Sequence, residues 1–351
     1  MIKNFYLDKD INEIISRSKL SLSKLKGKHI VLTGGRGFLG RYFCEIFHRY
    51  NLDNKIKIQL TVIDNLSMSG KLGTKWDKYK DFKFLKKDAS KYLKINKKID
   101  YFIHAAGIAS PYYYRKFPLE TVDVTVNGLK NILELAKIKK SKVIFFSSSE
   151  IYGDPEKKFI PIKESYRGNV STMGPRACYD ESKRLGETLC YIYKEQFNLH
   201  TNIIRPFNVY GPGMQQTDYR VLPNFASKIK SNESLLIYGN GKQTRTYCYI
   251  TDAITGFLKV VTNGKSGEAY NIGNTKPELS VEDLFKNIKK ICKHKINYKI
   301  VKHPKTYPAD EPQRRCPNIN KAKKDLKYKP EISLNIGLKR FLKWTNENYT
   351  P

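Results

Sequence analysis

His29-Ile30-Val31-Leu32-Thr33-Gly34-Gly35-Arg36-Gly37-Phe38-Leu39-Gly40 decides the fold. The apolar run reads as a buried strand. The spacing Gly34-x-x-Gly37-x-x-Gly40 suits a tight turn, a close backbone approach to a pyrophosphate, and close packing of the next helix on the strand. That helix is expected to run through Arg49. Gly34, Gly37, Phe38, Leu39 and Gly40 are the candidate phosphate cradle. A second strand, Ile56 to Ile63, ends in Asp64-Asn65. A carboxylate there accepts hydrogen bonds from an adenosine ribose and repels a 2′-phosphate, which favours NAD. Arg36 inside the glycine loop argues for NADP, and Asp64 weighs more heavily.

The pattern repeats outward. Phe82-Lys83-Phe84-Leu85 leads to Asp88-Ala89, and Tyr101-Phe102-Ile103-His104 leads to Ala105-Ala106-Gly107, small residues against which a cofactor can lie. His104 reads as a packed strand-end residue. Lys142 to Phe146 and Thr201 to Arg205 are the fifth and sixth strands, with an apolar helical stripe between Asn127 and Lys137. The expected fold is α/β: a doubly wound parallel sheet with a smaller C-terminal substrate-binding lobe. Beyond Gly213 the parallel-sheet rhythm fades into shorter elements. The expected division is an N-terminal extension (1–27), a cofactor domain (28–207) and an interleaved substrate lobe (208–351). In the extension, residues 10–15 carry a helical pattern, with Asp8 or Asp10 as its cap.

The chain has 351 residues, 40% of them hydrophobic, enough for one large core. No apolar run approaches a membrane span, and residues 1–27 lack a signal-peptide core, so a cytoplasmic protein with no membrane partner is expected. Six cysteines without metal spacing point to reduced thiols and no metal. The net charge of +32 raises nucleic-acid binding. The lysines are scattered, however, without a basic tail, so no nucleic-acid partner is expected. The positive field suits an anionic nucleotide substrate instead.

Chemistry enters with Cys178-Tyr179-Asp180-Glu181-Ser182-Lys183. A Tyr and a Lys four apart share one helix face. An ammonium beside a phenol favours the phenolate and lowers its pKa, making a base for a sugar hydroxyl. In a Tyr-rich, Lys-rich chain the pair alone is weak. It gains weight from the glycine loop before it and from the Ser-rich strand end Ser147-Ser148-Ser149-Glu150 between them. Ser148 can hydrogen-bond the oxygen that Tyr179 deprotonates.

With these motifs in this order the chain resembles the extended short-chain dehydrogenase/reductases that act on nucleotide-sugars. Ser147–Pro155, Ser165–Val170, the run Gly174-Pro175-Arg176-Ala177-Cys178-Tyr179-Asp180-Glu181-Ser182-Lys183-Arg184, Gln243-Thr244-Arg245 and Gln313-Arg314-Arg315 resemble the UDP-glucuronate decarboxylases, or UDP-xylose synthases. The likeness covers residues 28–345. It departs at Arg167, Ser148 and Asn318, where Trp, Thr and Asp are usual. The resemblance implies a Rossmann-like fold, bound NAD that is recycled, and a homodimer built on the Asn127–Lys137 helix and the Tyr179 helix. It places Asp88 near the adenine and assigns catalysis to Ser148, Glu150, Tyr179 and Lys183, with Glu150 handling a proton near C5 and Tyr179 and Lys183 also touching the cofactor. Nucleotide-sugar contacts are implied for Tyr114, Asn208, Arg220, Tyr238, Arg245 and Arg314, with Arg315 as an alternative to Arg314. Rival activities are a 4-epimerase, a 4-oxidase and a 4,6-dehydratase. The dehydratases carry an Asp where this chain has Ser149, a poor acid. An idle nucleotide-sensing or RNA-binding protein on the same fold is the non-enzymatic rival.

Overall fold

The side chains of the first strand alternate between two apolar layers, as a pleated strand requires. Ile30 and Leu32 join one layer with Phe43 and Phe47, and Val31 joins the other with Leu129 and Leu133. The same alternation separates Ile144 and Phe146 from Val143 and Phe145. A sheet apolar on both faces needs helices on both, and that is what the computed structural model shows. It describes residues 4–69, 75–292, 296–302 and 312–351.

In chain order the strands are β1 (His29–Thr33), β2 (Gln59–Asp64), β3 (Phe82–Lys86), β4 (Tyr101–His104), β5 (Lys142–Phe146), β6 (Thr201–Pro206), β7 (Val209–Tyr210), β8 (Leu235–Tyr238), β9 (Thr244–Arg245), β10 (Cys248–Tyr249), β11 (Glu268–Ile272), β12 (Leu279–Ser280), β13 (Tyr298–Val301) and β14 (Arg314–Arg315). The helices are α1 (Asp8–Arg17), α2 (Lys19–Lys24), α3 (Phe38–Leu52), α4 (Pro111–Lys116), α5 (Pro118–Lys139), α6 (Ala177–Phe197), α7 (Val221–Lys230), α8 (Ile250–Asn263), α9 (Val281–Ile291), α10 (Asn320–Leu326) and α11 (Leu334–Asn348). The central sheet has seven parallel strands in the order β11-β6-β5-β4-β1-β2-β3. Helices α3 and α8 cover one face and α5 and α6 the other. The expected doubly wound α/β fold is present, and the carboxyl ends of its strands open on a cleft.

Three sequence expectations change. The second strand starts at Gln59, because Asn51 at the end of α3 ties down Ile58 through both its amide atoms at 2.9 Å. The parallel rhythm does not fade after Gly213. Strand β11 extends the sheet beside β6. Its Asn271 hid it from an apolar search. That side chain is buried and satisfied by Ile162 O, Asn318 O and the Tyr152 hydroxyl. Neither Asp8 nor Asp10 caps α1; the cap residue is Leu7. Asp10 is turned inward, accepting from the Tyr249 hydroxyl at 2.6 Å and from Arg340 at 2.8 Å. Among the described residues no helix is long and apolar enough to cross a membrane.

Candidate active site

The glycine loop is as tight as its spacing implies. Gly34 has φ +71°, and a Cβ there would lie 2.7 Å from the Ala106 backbone. One on Gly40 would lie 2.2 Å from Gly34 O. Above this loop, at the N-terminus of α3, runs a cavity of about 550 Å³ bordered by Gly34, Gly37, Phe38, Asp64, Asn65, Asp88, Ala89, Ala105 and Ala106. The Asp64 carboxylate is fixed at the end of β2, accepting from Arg36 N at 2.9 Å and Leu66 N at 2.8 Å. Asp88 forms a turn with Ser90 at the same rim. The Arg36 guanidinium is buried, bound to Asp77 at 2.7 and 2.9 Å and laid 4.3 Å from the centre of the Phe84 ring. The cation that argued for NADP is therefore engaged elsewhere. A helix N-terminus, a glycine cradle and a strand-end carboxylate fit NAD.

A second cavity of about 570 Å³ adjoins the first, sharing Gly34, Gly37, Phe38, Ala105 and Gly107 with it. Ser148, Glu150, Tyr179 and Lys183 meet on its wall, together with Leu39 and Gly40. The Tyr179 ring is buried and stacked on Tyr114, with centres 5.1 Å apart and an interplanar angle of 12°. Tyr179 and Lys183 share one face of α6 as their spacing requires. The expected acidification of the phenol does not follow. Burial pushes Tyr179 up to about 12, and its hydrogen bond with Ser148 only partly opposes this. Burial also brings Lys183 down to about 7. The lysine nitrogen donates to Phe146 O at 2.7 Å and stands 5.8 Å from the centre of the Tyr179 ring. Desolvation dominates both shifts.

Glu150 sits in one turn of 3₁₀ helix, Ser149–Tyr152, after β5, with Ser148 accepting from its amide at 3.2 Å. Burial alone would raise its pKa. Arg315 and Arg176 instead hold it below the ordinary carboxylate range, both guanidiniums binding it directly. Arg176 also donates to Asp180 at 3.3 Å. The sequence reading left Arg176 without a role, although its spacing to Asp180 on α6 is a helical i,i+4 pair. The half-buried Glu150, the buried Asp180 and two buried arginines thus form one cluster, of which Glu150, Arg176 and Arg315 border the cavity.

The same cavity is also bordered by Tyr114, Asn208, Arg220, Tyr238 and Arg245. Asn208 donates to Thr246 O at 2.9 Å, Arg220 forks onto Asp218, and Arg245 donates to the carbonyls of Thr244 and Gln313. Arg314 is a correction. Neighbours on a strand point to opposite faces. On β14, Arg314 pairs with Glu278 at 2.6 and 2.8 Å, outside the cavity wall, and Arg315 is the one that reaches Glu150. His104 is buried, bonded to Thr33 and Val124 O, and burial brings it down to about 3. Among the described residues no group of His, Cys, Asp and Glu could hold a metal ion.

Residues 30–273 match the NAD dependent epimerase/dehydratase family. Over 310 residues the chain is 35% identical to UDP-glucuronic acid decarboxylase 6 of Arabidopsis thaliana, covering 88% of this chain and 86% of that protein. It is 34% identical to UDP-glucuronic acid decarboxylase 1 of Xenopus tropicalis, over 94% of this chain and 77% of that one. Among solved structures, a variant of UDP-glucuronic acid 4-epimerase from Bacillus cereus, in complex with UDP-4-deoxy-4-fluoro-glucuronic acid and NAD, is 25% identical. Its TM-score is 0.76, over 91% of this chain and 99% of that chain. UDP-glucose 4-epimerase of Thermotoga maritima shares the fold at TM-score 0.78 and 23% identity, over 91% and 99% of the two chains. The glycine cradle, Asp64, Tyr179 and Lys183 all lie within the matched residues 30–273. The chain belongs to the NAD dependent epimerase/dehydratase family.

Proposed function

We propose that this enzyme decarboxylates UDP-glucuronate to UDP-xylose through transient oxidation at C4. NAD, when bound, supplies a reversible hydride acceptor, so net redox is zero. Tyr179 Oη takes the C4 hydroxyl proton, and the Ser148 hydroxyl hydrogen-bonds the same oxygen. The resulting 4-ketone lies β to the C6 carboxylate. The C5–C6 bond breaks, its electron pair moves into the C4–C5 enolate, and CO₂ leaves. C5 then takes a proton, and the ketone is reduced back to the hydroxyl. Lys183, its Nζ held by Phe146 O, puts an ionisable amine on the same helix face as the base. Arg220 and Arg245 suit the diphosphate, and Asn208 and Tyr238 the nucleoside.

One observation carries the choice of reaction. Beside the Tyr179–Ser148 pair the cavity presents a carboxylate held ionised by two arginines, next to the hydroxyl of Ser149. Expelling the C6 hydroxyl, as a 4,6-dehydratase must, needs an acid there. Loss of CO₂ from a β-keto acid needs none for its leaving group. Glu150 enters the cycle as an acceptor that holds a proton-bearing group near C5. The test is an NMR time course of the protein with NAD⁺ and UDP-glucuronate. UDP-xylose or its 4-keto precursor supports the reading. An intact carboxylate with inverted C4 replaces it with epimerisation.

The same reading divides the chain into an extension (1–27), a cofactor domain (28–207) and a substrate lobe (208–351) that lends α8 and β11 to the first. It includes a homodimer through α5 and α6, which expose Leu119, Ile138, Leu185 and Tyr191. Leu185→Glu should then sediment as a monomer; an unchanged dimer would locate the interface elsewhere. A cytoplasmic home is supported by six unpaired cysteines.

A further inference from the structure

We propose that Phe5 is a cofactor-binding residue: its ring walls the NAD cleft and slows release of NAD. The inference rests on the NAD reading of that cleft. Phe5 borders the same cavity as Gly34, Gly37, Phe38 and Asp64. Its ring is half-buried and lies against Gly213, where φ is +91° and a Cβ would come within 2.3 Å of the ring. Any side chain at Gly213 would displace the ring from the cleft.

The ring is held from both sides. The Arg41 guanidinium lies 5.0 Å from its centre, and Arg41 Nε donates at 2.7 Å to Arg36 O inside the glycine loop. The next residue, Tyr6, donates its hydroxyl to Arg41 O at 2.8 Å on α3. The preceding residue, Asn4, is fixed to α11. Its amide donates to Asn348 Oδ1 at 2.9 Å, and its carbonyl accepts from Trp344 Nε1 at 2.6 Å. Phe5 therefore sits between an anchor on the helix that opens the phosphate cradle and an anchor on the last helix of the chain. The two anchors fix the backbone on either side of Phe5, which holds its ring beside the cleft. A ring already fixed in place adds contact area to a bound ligand at little entropic cost. Retention has a chemical purpose in this reaction. The cofactor must stay between oxidation and reduction, because its loss would strand a ketone on the enzyme.

The test uses the full chain. Phe5→Ala, Phe5→Leu and Arg17→Ala would be compared with wild type for the rate of NADH release by fluorescence, and for NAD retained through gel filtration. Arg17 binds Asp252 at 2.8 Å in α8 and reports general loosening of the N-terminal segment. Phe5→Ala should release NADH about tenfold faster, the loss of roughly 1.4 kcal/mol of contact. Phe5→Leu should recover most of the retention, and Arg17→Ala should lower Tm without changing the release rate. Equal release from Phe5→Ala and wild type would overturn the assignment while leaving the NAD site standing. So would equal acceleration by Arg17→Ala. A wild-type protein that holds no NAD would overturn the assignment and the NAD reading together.

Discussion

Lys183 Nζ donates to the Phe146 carbonyl at 2.7 Å and not to the phenol of Tyr179, four residues before it. The lysine is thus anchored to the end of β5, the strand that also delivers Ser148. Burial brings Lys183 down to about 7 and carries Tyr179 up to about 12, so at neutral pH much of the lysine charge is lost and the phenol is intact. Lys183→Met should lower kcat by about two to four orders of magnitude, the usual range for positioned acid–base chemistry. Tyr179→Phe should do the same, and neither should release NAD from the protein. Full activity in either variant would remove that residue from the proposed mechanism.

Arg314 and Arg315 are adjacent, yet only Arg315 reaches the cavity. Arg314→Ala should leave KM for the nucleotide-sugar within about twofold, because an ion pair as exposed as Arg314–Glu278 contributes little. Arg315→Ala removes one of the two cations on the half-buried Glu150 and should cost about tenfold or more in kcat/KM. Steady-state kinetics of the two variants, run side by side, checks the strand phase directly. The reverse ranking would mean that β14 is turned over.

What could be read from the chain before its structure follows from distance along it. The Gly34–Gly40 cradle and the Tyr179–Lys183 face are local patterns, and local geometry alone arranges them. Whether Arg314 or Arg315 enters the site depends on the phase of a two-residue strand paired with β9, which no neighbouring residue reports. Phe5 lies against Gly213, more than 200 residues away, and its neighbour Asn4 bonds Asn348, more than 300 residues away, so its spacing carries no signal. The direction of the Tyr179 shift failed for a related reason. Charge proximity is visible in a sequence, while desolvation depends on everything that packs around the group.

Asp180 makes the folded protein sensitive to pH. Burial raises its carboxyl, the nearby Glu150 adds to this, and Arg176 and Arg315 oppose it, leaving it at about 7 against 3.8 for the ordinary carboxyl. A folded pKa above the unfolded value means that the folded state holds the proton more tightly. The stabilising contribution is full below about pH 4 and is lost as pH rises through about 7. Asp180→Asn cannot ionise, so the variant should lose less Tm than wild type between about pH 5 and pH 8. Asp10, also raised, to about 6, titrates in both proteins and cancels in the comparison. The absolute Tm of the variant can fall, since Arg176 loses one acceptor. The informative quantity is the difference in slope, and parallel slopes would place the Asp180 pKa near the ordinary value.

Glu150→Gln separates the two halves of the proposed cycle. Oxidation at C4 relies on Tyr179 and Ser148, which the substitution leaves in place. Protonation at C5 relies on the carboxylate, whose anionic form Arg176 and Arg315 maintain. A neutral amide keeps the shape but offers the two guanidiniums far weaker pairing. The variant should therefore oxidise its substrate and then stall, with the absorbance of bound NADH appearing in the first turnover and decaying slowly. Overall kcat should fall by about two orders of magnitude or more. Thermal unfolding must be measured on the same sample, because two buried cations around a missing anion destabilise the fold. A folded variant that accumulates no NADH, with turnover reduced at the first step, would move Glu150 from C5 to the initial oxidation.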